Sequence, residues 1–312
     1  MSSFTVMSWN IDARGDGLKD RIGDLARFEA DVVLLQEVPR RSVAALSNSA
    51  GFAWAELAVM HSEPVDGSSA RLGTAILGSE RVSLRGVGQV PQERFIEAGV
   101  RAGMSEAEVC DRTGWFHRNL YADVEIDGLA LRVCSFHARP ATGGRPGRPP
   151  LGYARQLFHR VCADWLTEHQ GPMLFGVDAN SPYLDHPDPV QWRPSMAGDA
   201  TLIGPQPRHH LTDALHRWHE QHPEELEWVR TQRPDGPLAI SYVTTGAGRQ
   251  VRYDHLFVTD DLAVEGITYR PTGADGSDHA VILASLAAGD GRTSGVEPGH
   301  AMRTEARPAP SP

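Results

Sequence analysis

In MLFGVDANS, Met173 to Ser181, an apolar run suited to a core strand meets an aspartate and, two residues on, an asparagine. A buried carboxylate without a partner costs several kcal/mol, so either the chain surfaces at Asp178 or something compensates the charge there. A loop exit meets the first condition and an active site the second. The other strands distinguish them.

FTVMSW ends in Asn10, DVVLLQ in Glu37, LRVCSF in His137, and MLFGV in Asp178 and Asn180. Two later strands reverse the arrangement: Asp254 opens DHLFVT, and Asp278-His279 open AVILASL. If these two run antiparallel to the others, the polar groups gather at one edge of the fold. A single polar strand terminus is routine. Six apolar strands, each with an Asp, Glu, Asn or His at one end, define a site.

Between the strands lie helical periods. Leu18, Ile22, Leu25 and Phe28 predict a helix over 18–29, and YARQLFHRVCADWLTEH a second, with Tyr153, Leu157, Val161, Trp165 and Leu166 on one face. Asp127-Gly128, between NLYADVEI and LALRVCSFH, is a two-residue hairpin signal. Further strands are expected at Trp54–Met60 and Leu72–Leu77, and a partly helical insertion over 92–116. Hairpins mixed with crossover helices favour a layered α/β sandwich of two sheets over a purely parallel sheet. Residues 1–288 read as one domain; the Gly/Pro/Ser-rich segment 289–312 reads as a disordered tail.

Composition narrows the class. No apolar run approaches the roughly 20 residues needed to span a bilayer, and MSSFTVMSWN lacks the pattern of a secretory signal. Cys110, Cys134 and Cys162 are an odd, widely spaced set, which predicts free thiols in a reducing cytoplasm. A net charge of −10 argues against coating nucleic acid by bulk electrostatics. It leaves room for a nuclease that handles phosphate through metal and a local basic loop. Lys19 is the only lysine, a bias that a GC-rich genome explains more simply than selection for phosphate-binding arginines.

Carboxylates and an amide without cysteine suit a hard cation, Mg²⁺ or Mn²⁺, and the histidines and spare carboxylates supply acid, base and hydrogen-bonding groups. Metal-assisted phosphoester hydrolysis uses all of them. In chain order SWNI, LLQE, SFHA, GVDANS, RYDHLFV and SDHAV resemble the endonuclease/exonuclease/phosphatase superfamily, over about residues 4–287. The resemblance implies a deoxyribonuclease I-like fold, a four-layered α/β sandwich of two packed mixed sheets flanked by helices. It further implies Glu37 as the principal metal ligand, Asn10 beside it on phosphate or metal-bound water, and Asp278 as a second metal-side carboxylate. Asp178 would orient and deprotonate the attacking water, held by Asn180. His279 would donate to phosphate, oriented by Asp254. His137 stands where abasic-site endonucleases carry tyrosine, which weakens that reading.

Other features are weighed more evenly. Arg118 lies where relatives place a phosphate-contacting arginine, against the alternative of a surface salt bridge. His255 follows Asp254 in a strand and should face away from the site, as packing. His209, His210, His216, His219 and His222 suggest zinc, but the spacing spreads them around a helix that Pro223 should end, so a solvated polar face is expected. No GxSxG elbow is present, which excludes a serine hydrolase of that type. After His137, ARPATGGRPGRPPLGYAR carries Arg139, Arg145, Arg148 and Arg155 without an acid. It is either a flexible connector or a grip on an anionic substrate. The favoured function is a cytoplasmic, monomeric, metal-dependent phosphoesterase, foremost a nuclease cutting DNA or RNA. A phosphomonoesterase or lipid phosphodiesterase acting on inositol phosphates or sphingomyelin-like head groups, or an inactive binding scaffold, are the alternatives.

Overall fold

The computed structural model describes residues 3–12, 25–39, 45, 52–58, 72–113, 115–140, 151–185, 197–204, 207–245, 247–271 and 277–289. Its first strands are Ser3–Asn10 (β1), Val32–Pro39 (β2), Phe52–Ala58 (β3), Leu72–Ser79 (β4) and Val82–Gly88 (β5). Helices Gln92–Arg101 (α1) and Glu106–Thr113 (α2) and a 3-10 turn at Trp115–His117 form the expected insertion. Asn119–Ile126 (β6), Leu129–His137 (β7), helix Leu151–Leu166 (α3), Met173–Asp178 (β8) and helix Ala197–Ile203 (α4) follow. Next come Thr212–Asp213 (β9), helices Ala214–Gln221 (α5) and Pro223–Gln232 (α6), and the short pair Tyr242–Val243 (β10) and Gln250–Val251 (β11). Asp254–Val258 (β12), Leu262–Arg270 (β13) and Val281–Ala288 (β14) complete the strands.

Twelve of these form two six-stranded sheets, ordered β13-β14-β1-β2-β4-β3 and β5-β6-β7-β8-β12-β9, and β10 and β11 pair separately. Each has one parallel pair at its centre, β1 with β2 and β7 with β8, flanked by antiparallel neighbours. A parallel neighbour needs a crossover, and α3 supplies it between β7 and β8. β12 and β14 run antiparallel to β8 and β1, the orientation that collects the polar strand ends at one edge.

The central strands are apolar on both faces, so both faces must be covered. Val6, Leu34, Ile76, Val133, Leu174, Leu256 and Ile282 fill the space between the sheets. Met7, Trp9, Val33 and Leu35 form the outer core of the first sheet with Leu25, from a helical turn at 25–27. Phe136, Phe175, Val177 and Phe257 form that of the second, under Leu157, Phe158 and Val161 of α3. This is the four-layered sandwich. No helix of the described residues is long and apolar enough to cross a membrane. Cys110, Cys134 and Cys162 are free thiols.

Asp127 and Gly128 both adopt positive φ (50° and 86°), closing β6 on β7 in a two-residue turn. Strands β5 and β13, absent from the sequence expectations, sit at sheet edges, where half the side chains are polar and the apolar signal is diluted. The strand expected to reach Met60 is described to Ala58, and the helix expected over 18–29 is described only from 25; residues 18–24, 59–60 and 290–312 lie outside the described residues. The histidine-bearing helix ends at Gln221, just before Pro223, as expected. The chain breaks at His222, and Pro223 opens α6, where its missing N–H is no loss.

Of the histidine run only His210 is exposed; the others do not form the expected solvated face. His219 and His209 are buried, His216 Nε2 lies 3.3 Å from Asp185 Oδ1, and His222 stacks on Trp218. His209 stands edge-on to Phe175 and Phe257. Its Nε2–H donates to the Leu202 carbonyl (2.7 Å) while Nδ1 accepts from Leu211 N–H (3.2 Å), so the neutral ring satisfies both partners. Burial lowers its pKa to about 4.

Two stability predictions follow from this packing. A Cβ on Gly176 would lie 2.4 Å from Ser8 Oγ and 2.9 Å from Leu34 Cδ1 across the sheets, so Gly176→Ala should cost about 1–3 kcal/mol. Thermal denaturation should record it as a lower Tm. Between the ordinary histidine pKa of 6.5 and about 4, the unfolded chain takes up a proton that folded His209 excludes, so stability falls as pH drops through that window. The loss at pH 5 is on the order of 2 kcal/mol, and His209→Gln, which cannot titrate, should flatten that part of the Tm–pH curve.

Candidate active site

Register builds the first half of the site. β7 pairs β8 with His137 opposite Asp178, and β8 pairs β12 with Asp178 opposite Asp254. Residues opposed across neighbouring strands share a face, so all three side chains stand in one row facing the other sheet. Two residues back, the same face carries Ser135, Gly176 and Leu256. Gly176 is where the sheets approach too closely for a side chain.

Asp178 is 1% exposed, which answers the question posed by MLFGVDANS: the chain does not surface, and the carboxylate is compensated. Its Oδ1 accepts the Asn180 backbone N–H (2.9 Å); its Oδ2 accepts Asn180 Nδ2 (3.0 Å) and Asn10 Nδ2 (2.8 Å). Burial still raises its pKa, with Asp254 adding to the effect and His279 and the amides opposing it. A carboxyl tuned upward in this way suits proton acceptance near neutral pH.

The first sheet supplies Asn10 and Glu37. Strand alternation alone would send Glu37 to the face opposite Gln36, away from the site. Instead the β2–β4 register shifts between Leu35 and Val38, and Glu37 takes φ of 56°. This bulge turns its carboxylate back, with Oε1 3.5 Å from His137 Nε2 on the opposing sheet.

His279 completes the cluster. Its Nδ1 donates to Asp254 Oδ2 at 2.8 Å, and its Nε2 faces Asp278 Oδ1 at 3.9 Å. Burial lowers its pKa, but Asp254 and Asp178 outweigh that and raise it, favouring the imidazolium. Asp278 itself is exposed. His137 is held differently. Arg118 Nη1 lies 3.2 Å from its Nδ1, and a guanidinium can only donate, so Nδ1 accepts and Nε2 carries the proton. That Nε2 lies 3.5 Å from Asp178 Oδ2. Burial and Arg139 lower the Arg118 pKa to about 10, Glu37 and Asp178 opposing, which leaves it charged at neutral pH. Among the described residues Arg118 bonds His137 and the His137 and Ala138 carbonyls rather than a surface carboxylate.

Of the loop arginines, Arg145 and Arg148 lie outside the described residues. Arg139 is half-buried beside Arg118. Arg155 is no substrate contact: it is buried in an ion pair with Asp199 (2.7 Å). His255 faces away from the row, as alternation requires, with Nδ1 3.4 Å from Asp213 Oδ2.

The donor set fits a hard divalent cation. It is made of carboxylates, an amide and imidazoles, while the Cys134 and Cys162 thiols face the outer core and burial pushes their pKa values up. Asp178, Asp254 and His279 bring ligand-type atoms within 4.8 Å of one another, yet most of those atoms are already engaged with each other or with amides. Asp254 Oδ1 is the exception, buried and reached by no hydrogen-bond donor among the described residues.

Several supporting residues escaped the sequence reading. Ser241 Oγ accepts the N–H groups of Tyr253 and Asp254, and Ser277 Oγ accepts from His279 N–H while donating to the Asn10 carbonyl. Arg252, fully buried, forks onto Asp185 and Asp213, and Tyr269 donates its hydroxyl to the Asp254 carbonyl. Ser241, Arg252 and Tyr269 lie far in sequence from the groups they hold, as does Ser277 from Asn10. Arg252, within RYDHLFV, and Ser277, at the start of SDHAV, had a local signal.

Comparison with known proteins places this arrangement. No curated protein sequence matches the chain. Among solved structures, the Xenopus laevis APE2 catalytic domain aligns over 90% of this chain and 91% of its own, with TM-score 0.61 and 18% identity. The human Nocturnin catalytic domain aligns over 92% and 95% (TM-score 0.59, 14% identity), and D. rerio TDP2 over 92% and 100% (TM-score 0.56, 15% identity). At these identities the likeness is one of fold. The sequence model of the Endonuclease/Exonuclease/phosphatase family, however, matches residues 7–279, nearly the whole described chain, and the chain belongs to that family of divalent-metal-dependent phosphoester hydrolases.

Proposed function

We propose that this chain is a Mg²⁺- or Mn²⁺-dependent phosphodiesterase acting on nucleic acid, with Asp178 as general base. The observation that carries the reading is the environment of Asp178: a buried carboxylate gripped by three amide N–H groups, between His137 and the His279–Asp254 pair.

Glu37 would hold the cation, with Asn10 Oδ1 and Asp278 nearest in role. A divalent ion there supplies charge neutralisation for phosphate and a lowered pKa for water. Asp178 takes the proton of the attacking water, its orientation set by Asn10 and Asn180. His279, kept protonated by its two carboxylate neighbours, donates to a phosphoryl oxygen. His137, held by Arg118 with its proton on Nε2, donates to phosphate or to the departing oxygen. Asn10 thus has a second part, since its amide N–H is spent on Asp178 rather than on substrate.

Nucleic acid is favoured over a compact phosphoester by the cationic cluster of Arg118 and Arg139 beside the row and by the arginines that follow in sequence. The D. rerio TDP2 structure that shares this fold holds a single strand DNA product, and the human Nocturnin domain a sulfate anion. Free thiols fit a reducing, cytoplasmic setting. We treat the chain as a monomer.

Purified protein should cleave single-stranded DNA, plasmid or RNA with Mg²⁺ or Mn²⁺ and lose activity in EDTA. Asp178→Asn and His279→Gln should each lower kcat by about 10²–10⁴-fold. Activity confined to inositol phosphates or sphingomyelin in the same panel would replace nucleic acid as the substrate. Full activity of Asp178→Asn would remove the mechanism. Arg145→Ala/Arg148→Ala should raise KM and reduce its salt dependence if that loop grips the backbone.

A further inference from the structure

Asn180 reaches Asp178 from an unusual backbone position. Its φ is 48°, in the left-handed region, and in that conformation its backbone N–H and its side-chain amide both turn onto the Asp178 carboxylate. Asparagine tolerates this conformation better than most residues but does not enforce it. Something must hold the Asn180 peptide.

The carbonyl of Asn180 accepts Arg155 Nη1 at 2.7 Å. The other edge of the same guanidinium is locked onto Asp199, Nε to Oδ1 at 3.2 Å and Nη2 to Oδ2 at 2.7 Å. Asp199, fully buried, is itself fixed by His159 Nδ1 (2.9 Å) and Ser181 Oγ (2.8 Å). The chain of bonds therefore runs from Asp199 through Arg155 to the Asn180 carbonyl, and from the Asn180 amides to Asp178. Arg155 lies on α3 and Asp199 on α4, so the support comes from the helical layer outside the sheet. We propose that Arg155 is a positioning residue for the reaction, holding Asn180 in its left-handed conformation so that Asp178 stays aimed. The inference rests on the phosphodiesterase reading above for its functional consequence, and on geometry alone for the clamp.

Lysine is the discriminating substitution. It retains the charge opposite Asp199 but has no planar fork, so it cannot satisfy that carboxylate edge-on and reach the Asn180 carbonyl together. With bis-p-nitrophenyl phosphate and Mn²⁺, Arg155→Lys should lower kcat about 10–100-fold, the scale of a small misplacement of a reacting group, with KM within about twofold. In an Asn180→Ala background the same change should cost clearly less than in the wild type, because the side-chain amide is gone and only the backbone N–H still carries the clamp to Asp178. Independently of turnover, protein labelled with ¹⁵N-asparagine should show the Asn180 side-chain amide losing its hydrogen-exchange protection in Arg155→Lys.

A folded Arg155→Lys protein with wild-type kcat and an unchanged Asn180 amide would overturn the proposal, as would equal losses in both backgrounds. If Arg155→Lys does not fold, the charge-free pair Arg155→Met/Asp199→Leu carries the same test, since removing both members of a buried pair avoids an orphaned charge. Retained kcat in that pair overturns the clamp; a loss coupled to Asn180 supports it. If the wild type turns over no phosphodiester, the functional reading fails, while the Asn180 amide still decides the clamp.

Discussion

Between β7, β8 and β12 the backbone ladder holds His137, Asp178 and Asp254 at one level, and the proposed chemistry depends on that register. Strand side chains alternate, so a slip of one residue would replace this row with Phe136, Val177 and His255, which belong to the outer face. The apolar layers on both sides of each sheet resist such a slip. Leu174 and Leu256 are committed to the inter-sheet core, and Phe175 and Phe257 stack 4.8 Å apart on the outer one. The hydrophobic pattern thus fixes where the carboxylates point. The cost of setting Asp178 beside Asp254 away from water is offset by His279 and the asparagine amides.

Much of this was legible because each polar residue adjoins an apolar run, and because reversed motifs at Asp254 and Asp278 pointed to antiparallel strands. The edge and its residues follow from those two facts. What escaped has a common cause. The turn of Glu37 depends on a register shift against β4; the grip on Asn180 comes from α3 and α4; and Ser241 and Ser277 act through bonds to distant backbone. Local pattern reports which face a side chain takes, not which distant group will meet it. The histidines of α5 were misjudged for the same reason, since Asp185 and the core that receive them lie elsewhere in the chain.

The arginine bias also takes on a structural sense. Arg155 and Arg252 are buried, and each binds several acceptors at once through a planar fork. A lysine at either place would leave acceptors unmet in a setting where an unmet buried acceptor is costly. Whatever favoured arginine in the genome, the fold has made some of these residues irreplaceable as connectors between layers.

The bulge at Glu37 restricts how this enzyme can diverge. A residue with φ of 56° is comfortable for glycine, asparagine or aspartate and hard for anything branched at Cβ. Of the tolerant residues only aspartate keeps a carboxylate, and it is one methylene shorter. Descendants that exchange this glutamate therefore face a choice between an easier backbone with a withdrawn carboxylate and the full reach of glutamate in a conformation it seldom adopts. A lineage that straightened the bulge would keep the sandwich but turn its acid away from His137 on the opposing sheet.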